Sequence, residues 1–407
     1  MRYLFLFFVS FFSSHAVIEI TNNVSYNLKT YFISNDSFVN DNMSKLNDVI
    51  SDNIKMVKGV NLNPVDLPEE YNFRCVIAKK KFITANCQLE NFLINENIET
   101  EIFEAKNLSR LGHAMSSYIV KNLQNKEINF DINLAFVEYE KKDKFHSYIR
   151  ISDVLLEEPI RVLEERGLIF RLVFNRSQGR IYYNLLLKKG DILLKYFDIY
   201  TKQTYLLSLD KKEDMQGIKP LSPAFSPSGN AMLFSAILPD KTDSPIFLYK
   251  DGKFEKLVSK NINSTPAFLD ENTIIYSSDA KGTPKIFKKS LDSFFGFSSP
   301  LIDQSFDTGM FEPAVQSSGN LISFTTIAYG KFALYLYNLI SEDVIFFDSG
   351  ELIERSDWSK DNYFLAYGFQ NTKKENTKIK LIPATFRSFN SRILSLSNPI
   401  SYPIFLD

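Results

Sequence analysis

The sequence predicts a two-domain α+β protein, in which a small N-terminal α/β domain is followed by a six-bladed β-propeller closed by its C-terminal strand. The chain has 407 residues, which is more than one hydrophobic core usually organises. A paired-strand motif recurs along its C-terminal two-thirds, whereas helical periodicity is confined to the part before Asn125. First strands and second strands of the motif occur in equal numbers, but the region begins with a second strand and ends with a first strand. The C-terminal strand can therefore complete the first unit.

Residues 1–16 have the pattern of an export signal. Met1-Arg2 is followed by an apolar run from Tyr3 to Phe12 and by the small-x-small pattern Ser14-His15-Ala16. The apolar run is shorter than the ~20 residues of a membrane-spanning helix, which makes a permanent anchor the weaker alternative. We therefore predict cleavage after Ala16, export to the periplasm, and a mature protein that does not insert into the membrane.

Residues 17–125 have the pattern of a small α/β domain. Met43 to Val57 and the segment that follows Asn107 each place apolar side chains on one helical face, and Asn107 is positioned as a helix cap. Strand-like runs lie before and between these helices, at Thr30 to Ile33, Phe73 to Ile77, Phe82 to Leu89 and Thr100 to Phe103.

The two cysteines, Cys75 and Cys87, lie in β-rich runs on either side of Lys79-Lys80-Lys81. An antiparallel hairpin would bring the two thiols together, and an oxidising periplasm would let them bond. Two small buried thiols fit the sequence equally well, because disulfide geometry is strict and connectivity does not follow from sequence. The pair is a candidate disulfide, and the sequence leaves both alternatives open.

Residues 126–407 carry the repeated unit, which consists of a strand, a polar turn and a second strand that closes on an aromatic residue. The clearest copies read LSPAFSPSGNAMLF from Leu221, TPAFLDENTIIY from Thr265, EPAVQSSGNLISF from Glu312 and SDWSKDNYFLAY from Ser356. The second-strand aromatics recur at intervals of roughly 40 to 50 residues, as in propellers. They are Phe136, Tyr183, Phe234, Tyr276, Phe324 and Tyr367.

The ends of this region predict a closed ring. The first strands of the units carry Leu172, Pro223, Pro266, Pro313, Ser356 and Pro403. The opening unit, at Ile132 to Phe136, has no first strand before it, and the C-terminal Tyr402-Pro403-Ile404-Phe405 has no second strand after it. The last strand can therefore complete the first blade, which removes exposed sheet edges. A β-sandwich with uneven strands is the main structural alternative.

Composition and motifs argue against nucleic-acid binding and catalysis. With 47 Lys+Arg against 48 Asp+Glu, the chain lacks the positive field that holds nucleic acid. The sequence contains no nucleophile elbow, zinc signature, Walker loop or dinucleotide-binding glycines. His15 belongs to the export signal, so only His113 and His146 remain, too few for a histidine metal centre. We expect a protein that is not an enzyme and that needs no metal or cofactor.

An exported α/β domain followed by SPAFSPSG, TPAF, EPAV and a closing YPIF resembles the TolB family, the periplasmic propeller proteins of the Tol-Pal system. The junction of the two domains adds to the resemblance. Leu111-Gly112-His113, Leu134-Ala135-Phe136 and Arg150-Ile151-Ser152-Asp153 match, in order, the family's Gly-His helix, its apolar strand and its strand ending in Ser-Asp. The family's Ser-Pro-Asp-Gly turn survives only as Ser226-Pro227-Ser228-Gly229, so the match is a divergent one.

This resemblance implies a monomeric scaffold without catalysis that supports outer-membrane integrity and envelope constriction during cell division. It implies binding of the peptidoglycan-associated lipoprotein Pal through the propeller and of TolA through the N-terminal segment. A propeller-type carbohydrate-active enzyme or a glycan-binding periplasmic protein is the alternative function.

Two sets of residues are candidates for these contacts. For TolA they are Val17, Ile18, Glu19, Ile20 and Thr21, which alternate as a strand that can add to a partner's sheet edge or belong to the chain's own α/β domain. For Pal they lie in the loops that lead into the first strands, which share one mouth of the ring because every blade runs the same way. These are Lys219, Ser222, Asn263, Ser264, Phe311, Glu312, Glu354 and Arg355, with Phe311 expected to be exposed.

Overall fold

The computed structural model describes residues 26–34, 39, 42–57, 60–62, 70–91, 96–143, 145–156, 159–207, 217–239, 241–292, 297–302, 306, 308–384 and 391–407. The export signal and the segment from Val17 to Thr21 lie outside the described residues.

The N-terminal α/β unit contains one mixed sheet and two helices. Its strands are β1 (Tyr26–Ser34), β2 (Val60–Leu62), β3 (Tyr71–Lys79), β4 (Ile83–Asn91) and β5 (Glu96–Ala105), and its helices are α1 (Met43–Lys55) and α2 (Leu108–Gln124). The sheet order is β2-β1-β3-β4-β5, with β1 parallel to both of its neighbours. Alternation along β3 buries Phe73, Cys75 and Ile77 in the core that includes both helices, and leaves Arg74 and Val76 exposed.

The two cysteines lie directly opposite each other in the central pair of antiparallel strands. Cys75 of β3 pairs with Cys87 of β4, and a disulfide joins their sulfur atoms. Both side chains are buried in the core of the α/β unit. The disulfide therefore links two strands that the backbone ladder already holds in register.

Helix α2 begins at the cap that its sequence indicates and ends at a left-handed residue. The Asn107 side chain accepts a hydrogen bond from the Arg110 backbone N–H at 2.9 Å, and Asn125 ends the helix in the left-handed conformation at φ 53°. Gly112 lies where α2 meets α1, and a Cβ there would be 2.5 Å from Cγ1 of Val49. Glycine at this position allows the two helices to approach closely.

A buried polar cluster joins the α/β unit to the strands that follow. His113 of α2 is fully buried, and its Nδ1 lies 2.9 Å from Nδ2 of Asn53 in α1. Its Nε2 lies 3.4 Å from Oδ2 of Asp153, and the Ser109 hydroxyl donates to the same oxygen at 2.8 Å. The Gly-His pair and the Ser-Asp pair of the sequence thus meet at one interface.

Beyond Asn125, the described residues form six four-stranded sheets. Five run in chain order, as β9-β10-β11-β12, β13-β14-β15-β16, β17-β18-β19-β20, β21-β22-β23-β24 and β25-β26-β27-β28, and the sixth has the order β29-β6-β7-β8. The strands are β6 (Asn133–Tyr139), β7 (Ser147–Asp153), β8 (Ile160–Glu165), β9 (Leu168–Asn175), β10 (Arg180–Leu186), β11 (Ile192–Asp198), β12 (Gln203–Leu206), β13 (Lys219–Phe225), β14 (Ala231–Ile237), β15 (Ile246–Lys250), β16 (Lys253–Val258), β17 (Asn263–Phe268), β18 (Thr273–Ser278), β19 (Lys285–Ser290), β20 (Ser299–Pro300), β21 (Met310–Val315), β22 (Leu321–Ala328), β23 (Lys331–Asn338), β24 (Val344–Gly350), β25 (Leu352–Trp358), β26 (Phe364–Gln370), β27 (Lys378–Pro383), β28 (Arg392–Leu394) and β29 (Ile400–Phe405).

The first strands of these sheets contact one another in a cycle. β9 contacts β13, and the contacts continue through β17, β21 and β25 to β29, which contacts β9. We call these six the inner strands. Sheets joined around a cycle through their inner strands form a β-propeller. The second-strand aromatics predicted from the repeat are all buried, and they lie on β6, β10, β14, β18, β22 and β26.

Strand β29 occupies the inner position of the sheet that β6 opens. It runs antiparallel to β6, with Ile400 opposite Glu138 and Phe405 opposite Leu134. The backbone N–H of Phe405 also donates to Oδ2 of Asp357 on β25 at 2.8 Å, which ties the last strand to the preceding sheet. The cycle of inner strands is therefore completed by the C-terminal strand, as the repeat predicts.

Replacing Phe405 with alanine tests this closure. The Phe405 side chain is fully buried, so we expect Phe405→Ala to lower the free energy of unfolding by about 3–5 kcal/mol, measured by urea denaturation. Phe297, which is 84% exposed, provides the control, and Phe297→Ala should change stability by no more than about 0.5 kcal/mol. Equal stability of the two variants would contradict a structural role for β29.

Candidate interaction surface and central channel

A β-bulge interrupts every inner strand opposite the aromatic residue of its second strand or one residue away from it. In the pair of β9 with β10, the register shifts between Tyr183 and Asn184 of β10. In the other five pairs it shifts between two residues of the inner strand, which are Leu221/Ala224, Ser264/Ala267, Phe311/Ala314, Ile353/Ser356 and Ser401/Ile404. The bulge leaves backbone groups outside the ladder, so proline, which has no N–H to donate, is tolerated there. This accounts for the repeated proline of the motif at Pro223, Pro266, Pro313 and Pro403.

One residue of each bulge occupies an equivalent position around the channel, immediately before the position of the motif proline. We call this set the channel ring, and it consists of Arg171, Ser222, Thr265, Glu312, Arg355 and Tyr402. All of them except Arg355 have a left-handed backbone, with φ between 49° and 60°. This conformation is unfavourable for a residue with a side chain, and the paired strands on both sides of the bulge hold it in place.

The channel ring contains an ion pair between opposite members. Arg171 and Glu312 stand three positions apart in a ring of six, and Nη2 of Arg171 lies 2.5 Å from Oε1 of Glu312. The side chain of Arg171 is 10% exposed and that of Glu312 is 23% exposed. The pair therefore crosses the channel and connects β9 to β21.

A second carboxylate, that of Glu354, lies beside the channel ring. Its Oε2 accepts the backbone N–H of Tyr402 at 3.1 Å, and a Cβ at Gly368 would be only 1.9 Å from this oxygen. Glycine on β26 thus makes room for the carboxyl group. Burial, reinforced by the nearby Glu312, raises the pKa of Glu354 to about 7, although the Tyr402 N–H and Arg171 favour its charged form.

The structure brings the predicted Pal-facing residues together on four neighbouring inner strands. The prediction that they lie in loops is wrong, because all eight belong to strands β13, β17, β21 and β25. The ladders extend past the motif proline, so Lys219 still pairs with Ile237 and Asn263 with Ser278. Phe311 is half-buried and not exposed.

The individual residues divide into three groups. Ser222 and Asn263 are buried, and the Asn263 side chain donates to the carbonyls of Ser244, Lys260 and Asn261, which fixes the turn before β17. Glu312, Glu354 and Arg355 lie at the channel. Lys219, Ser264 and Phe311 are half-buried near the start of their strands, and we call these three the start-side surface.

Sequence reasoning missed three members of the channel ring, namely Arg171, Thr265 and Tyr402. The signal for them was present, because each one immediately precedes the position of the motif proline or its equivalent. Aligning the copies on that position identifies all six members. Which members interact follows from the order of the sheets in space, which the motif does not contain.

Comparison with solved structures shows the fold. The chain is similar to TolB from Acinetobacter baumannii, with a TM-score of 0.78, 16% identity, and coverage of 94% of this chain and 96% of that one. It is also similar to a chain of the nidogen/laminin complex, with a TM-score of 0.50, 10% identity, and coverage of 68% of this chain and 98% of that one. The chain therefore has the TolB-like β-propeller fold.

No protein-family model and no curated protein matches the sequence. Among the described residues, no helix has both the length and the apolar character needed to cross a membrane.

The raised pKa of Glu354 predicts a pH-dependent stability. An unfolded glutamate ionises near 4.5, whereas the folded protein holds the proton up to about pH 7, so stability should fall as the pH rises between these values. Arg171 of β9, Glu312 of β21 and Tyr402 of β29 also face this carboxyl group. Glu354→Gln removes its ionisation, and we expect this variant to be more stable than the wild type at pH 8, by on the order of 3 kcal/mol.

Urea denaturation between pH 5 and pH 8 measures this effect. The stability difference between Glu354→Gln and the wild type should shrink towards zero as the pH approaches 5. Glu127→Gln, which alters a largely exposed side chain, is the control and should keep the wild-type pH dependence. A constant offset for Glu354→Gln across the range would show that the carboxyl group does not titrate there.

Proposed function

We propose that this protein is a non-catalytic periplasmic scaffold of the Tol-Pal system, which binds Pal through a six-bladed propeller and TolA through its N-terminal segment. In this role it supports outer-membrane integrity and envelope constriction during division. The observation that carries the proposal is the similarity to TolB over nearly the full length of both chains. That similarity includes both the α/β unit and the propeller.

The start-side surface suits a protein partner. Lys219, Ser264 and Phe311 combine a cation, a hydroxyl and an aromatic ring, which is the mixture found in protein interfaces. The backbone beneath them is held by the bulges and by the three hydrogen bonds of Asn263. A surface that is already ordered loses little conformational entropy when a partner binds.

The contacts of His113 support a structural role for this residue. It is fully buried between Asn53 and Asp153 at the junction of the α/β unit with the propeller. A buried histidine that links two parts of a chain contributes to their relative placement, and it is not accessible to a substrate.

Pal binding is tested by charge substitution at the two ends of one strand. Phe311 lies near the start of β21, whereas Ser317 lies in the turn after its end. Titration with the periplasmic part of Pal from the same cell, followed by calorimetry, should give saturable binding. Phe311→Arg should weaken it at least tenfold, or about 1.4 kcal/mol, because an arginine there loses apolar contact.

Ser317→Arg is the matched control for this experiment, and it should bind Pal as the wild type does. Equal weakening by both substitutions would argue against the start-side surface. Absence of binding at concentrations on the order of tens of micromolar would refute the assignment of Pal as a partner.

TolA binding is tested by deleting Val17 to Thr21 from the mature protein. If this segment adds as a strand to a sheet edge of TolA, its deletion should abolish binding to TolA, because the main-chain hydrogen bonds are lost. Pal binding should be unchanged, since the start-side surface is intact. Loss of both interactions, measured by calorimetry with each partner, would contradict separate binding sites.

A further inference from the structure

A cavity of about 340 Å³ lies on the other side of the channel ring from the start-side surface. Three members of the ring line it, namely Arg171, Arg355 and Tyr402. Its other lining residues follow the ring position along the inner strands and extend to the turns, where Arg176 and Lys360 lie. It is therefore separate from the surface to which Pal binding is assigned.

The cavity is lined by more positive than negative side chains. Arg171, Arg176, Arg355 and Lys360 contribute cations, and Asp357 contributes a carboxyl group. In the order of the sheets, Arg355 and Arg171 stand on either side of Tyr402. Two guanidinium groups thus approach the same space from the two sides of Tyr402.

Two guanidinium nitrogens at the cavity have unused hydrogen-bonding capacity. Within the described ranges, Nη1 of Arg171 and Nη1 of Arg355 are buried and have no hydrogen-bond partner. Arg171 uses its Nη2 for Glu312, so only part of its guanidinium is satisfied. Buried N–H groups of a charged side chain are unfavourable without an acceptor, and an anion placed between them would supply one.

The neighbouring carboxyl groups are bound by other donors. Asp357 accepts the backbone N–H of Phe405 at 2.8 Å, and burial raises its pKa. Asp407 accepts the backbone N–H of Lys360 at 3.0 Å and lies 3.6 Å from Nη2 of Arg176. Burial and the nearby Arg171 lower the pKa of Arg355 to about 10, so Arg355 stays protonated at neutral pH.

The cavity also has apolar side chains among its lining residues, and these indicate an organic ligand. Phe225, Phe268, Ile404 and Phe405 all line the cavity. An inorganic ion would leave these side chains without a contact, whereas a carbon chain would pack against them. The planar fork of an arginine matches the two oxygens of a carboxylate.

We propose that this cavity binds a carboxylate-bearing organic group, whose oxygens accept hydrogen bonds from Nη1 of Arg171 and Nη1 of Arg355. The group has two potential sources that share this chemistry, a small free dicarboxylate and an acidic side chain of a peptide that enters past Arg176 and Lys360. The inference goes beyond the proposed scaffold function and does not depend on it, because it concerns the opposite side of the channel ring.

The test compares succinate, an acetylated Gly-Glu-Gly peptide, and phosphate at matched ionic strength, using calorimetry on the mature protein. At least one of the two carboxylate probes should bind saturably, and phosphate should bind at least tenfold more weakly. Tighter binding of the peptide would identify the acidic side chain as the source, and tighter binding of succinate would identify the free dicarboxylate. Equal binding of phosphate, or no binding of either carboxylate at millimolar concentration, would overturn the proposal.

Substitutions locate the site. Arg355→Gln removes a half-buried guanidinium that forms no ion pair with another described residue, and it should weaken carboxylate binding at least tenfold. Lys219→Gln removes a cation on the start side of the ring and should leave binding unchanged. Unfolding in the absence of ligand establishes that each variant folds, and Lys360→Gln at the rim of the cavity is a second variant that should weaken binding about threefold. Wild-type affinity in both Arg355→Gln and Lys360→Gln would refute this site.

Discussion

The pairing of β29 with β6 is the interaction on which the rest of the propeller depends. Without the last strand, β6 would have an unpaired edge, and the contacts between inner strands from β9 to β25 would not close into a cycle. The same strand places Tyr402 in the channel ring and supplies the N–H groups that bind Glu354 and Asp357. The strand that closes the ring therefore also contributes residues to its channel.

The bulges place one residue of each inner strand at the channel, and the surfaces on the two sides of these residues differ. They turn one residue of each inner strand out of the ladder, and the ion pair between Arg171 and Glu312 then spans the channel. On the start side lies a mixed polar and apolar surface, and on the other side lies a cavity with an excess of cations. The same bulge, repeated around the ring, thus lies between two separate candidate surfaces. The unfavourable left-handed conformation of these residues persists because the paired strands on both sides hold the backbone in place.

The similarity to TolB at 16% identity shows that two very different sequences can adopt this fold. The buried second-strand aromatics, the proline at the bulge and the regular spacing satisfy packing and backbone requirements that many sequences can meet. Surface side chains are under no such requirement, since a propeller packs equally well with different residues at its mouths. The fold is therefore shown by the comparison, whereas the partners of this chain rest on proposals about particular surfaces.

The sequence by itself determined the periodic architecture, because buried aromatics such as Phe136 and Tyr367 and the proline of the motif report local requirements of strands and bulges. It also indicated the N-terminal cap of α2 at Asn107, which depends on short-range spacing, and it offered a hairpin that would oppose Cys75 and Cys87 as one of two alternatives. It could not place the start-side residues correctly, because the length of a strand depends on its neighbour in the sheet. Only the tertiary structure decided that Arg171 meets Glu312 and that Nη1 of Arg355 has no hydrogen-bond partner among the described residues, because residues far apart in sequence become neighbours only when the ring closes.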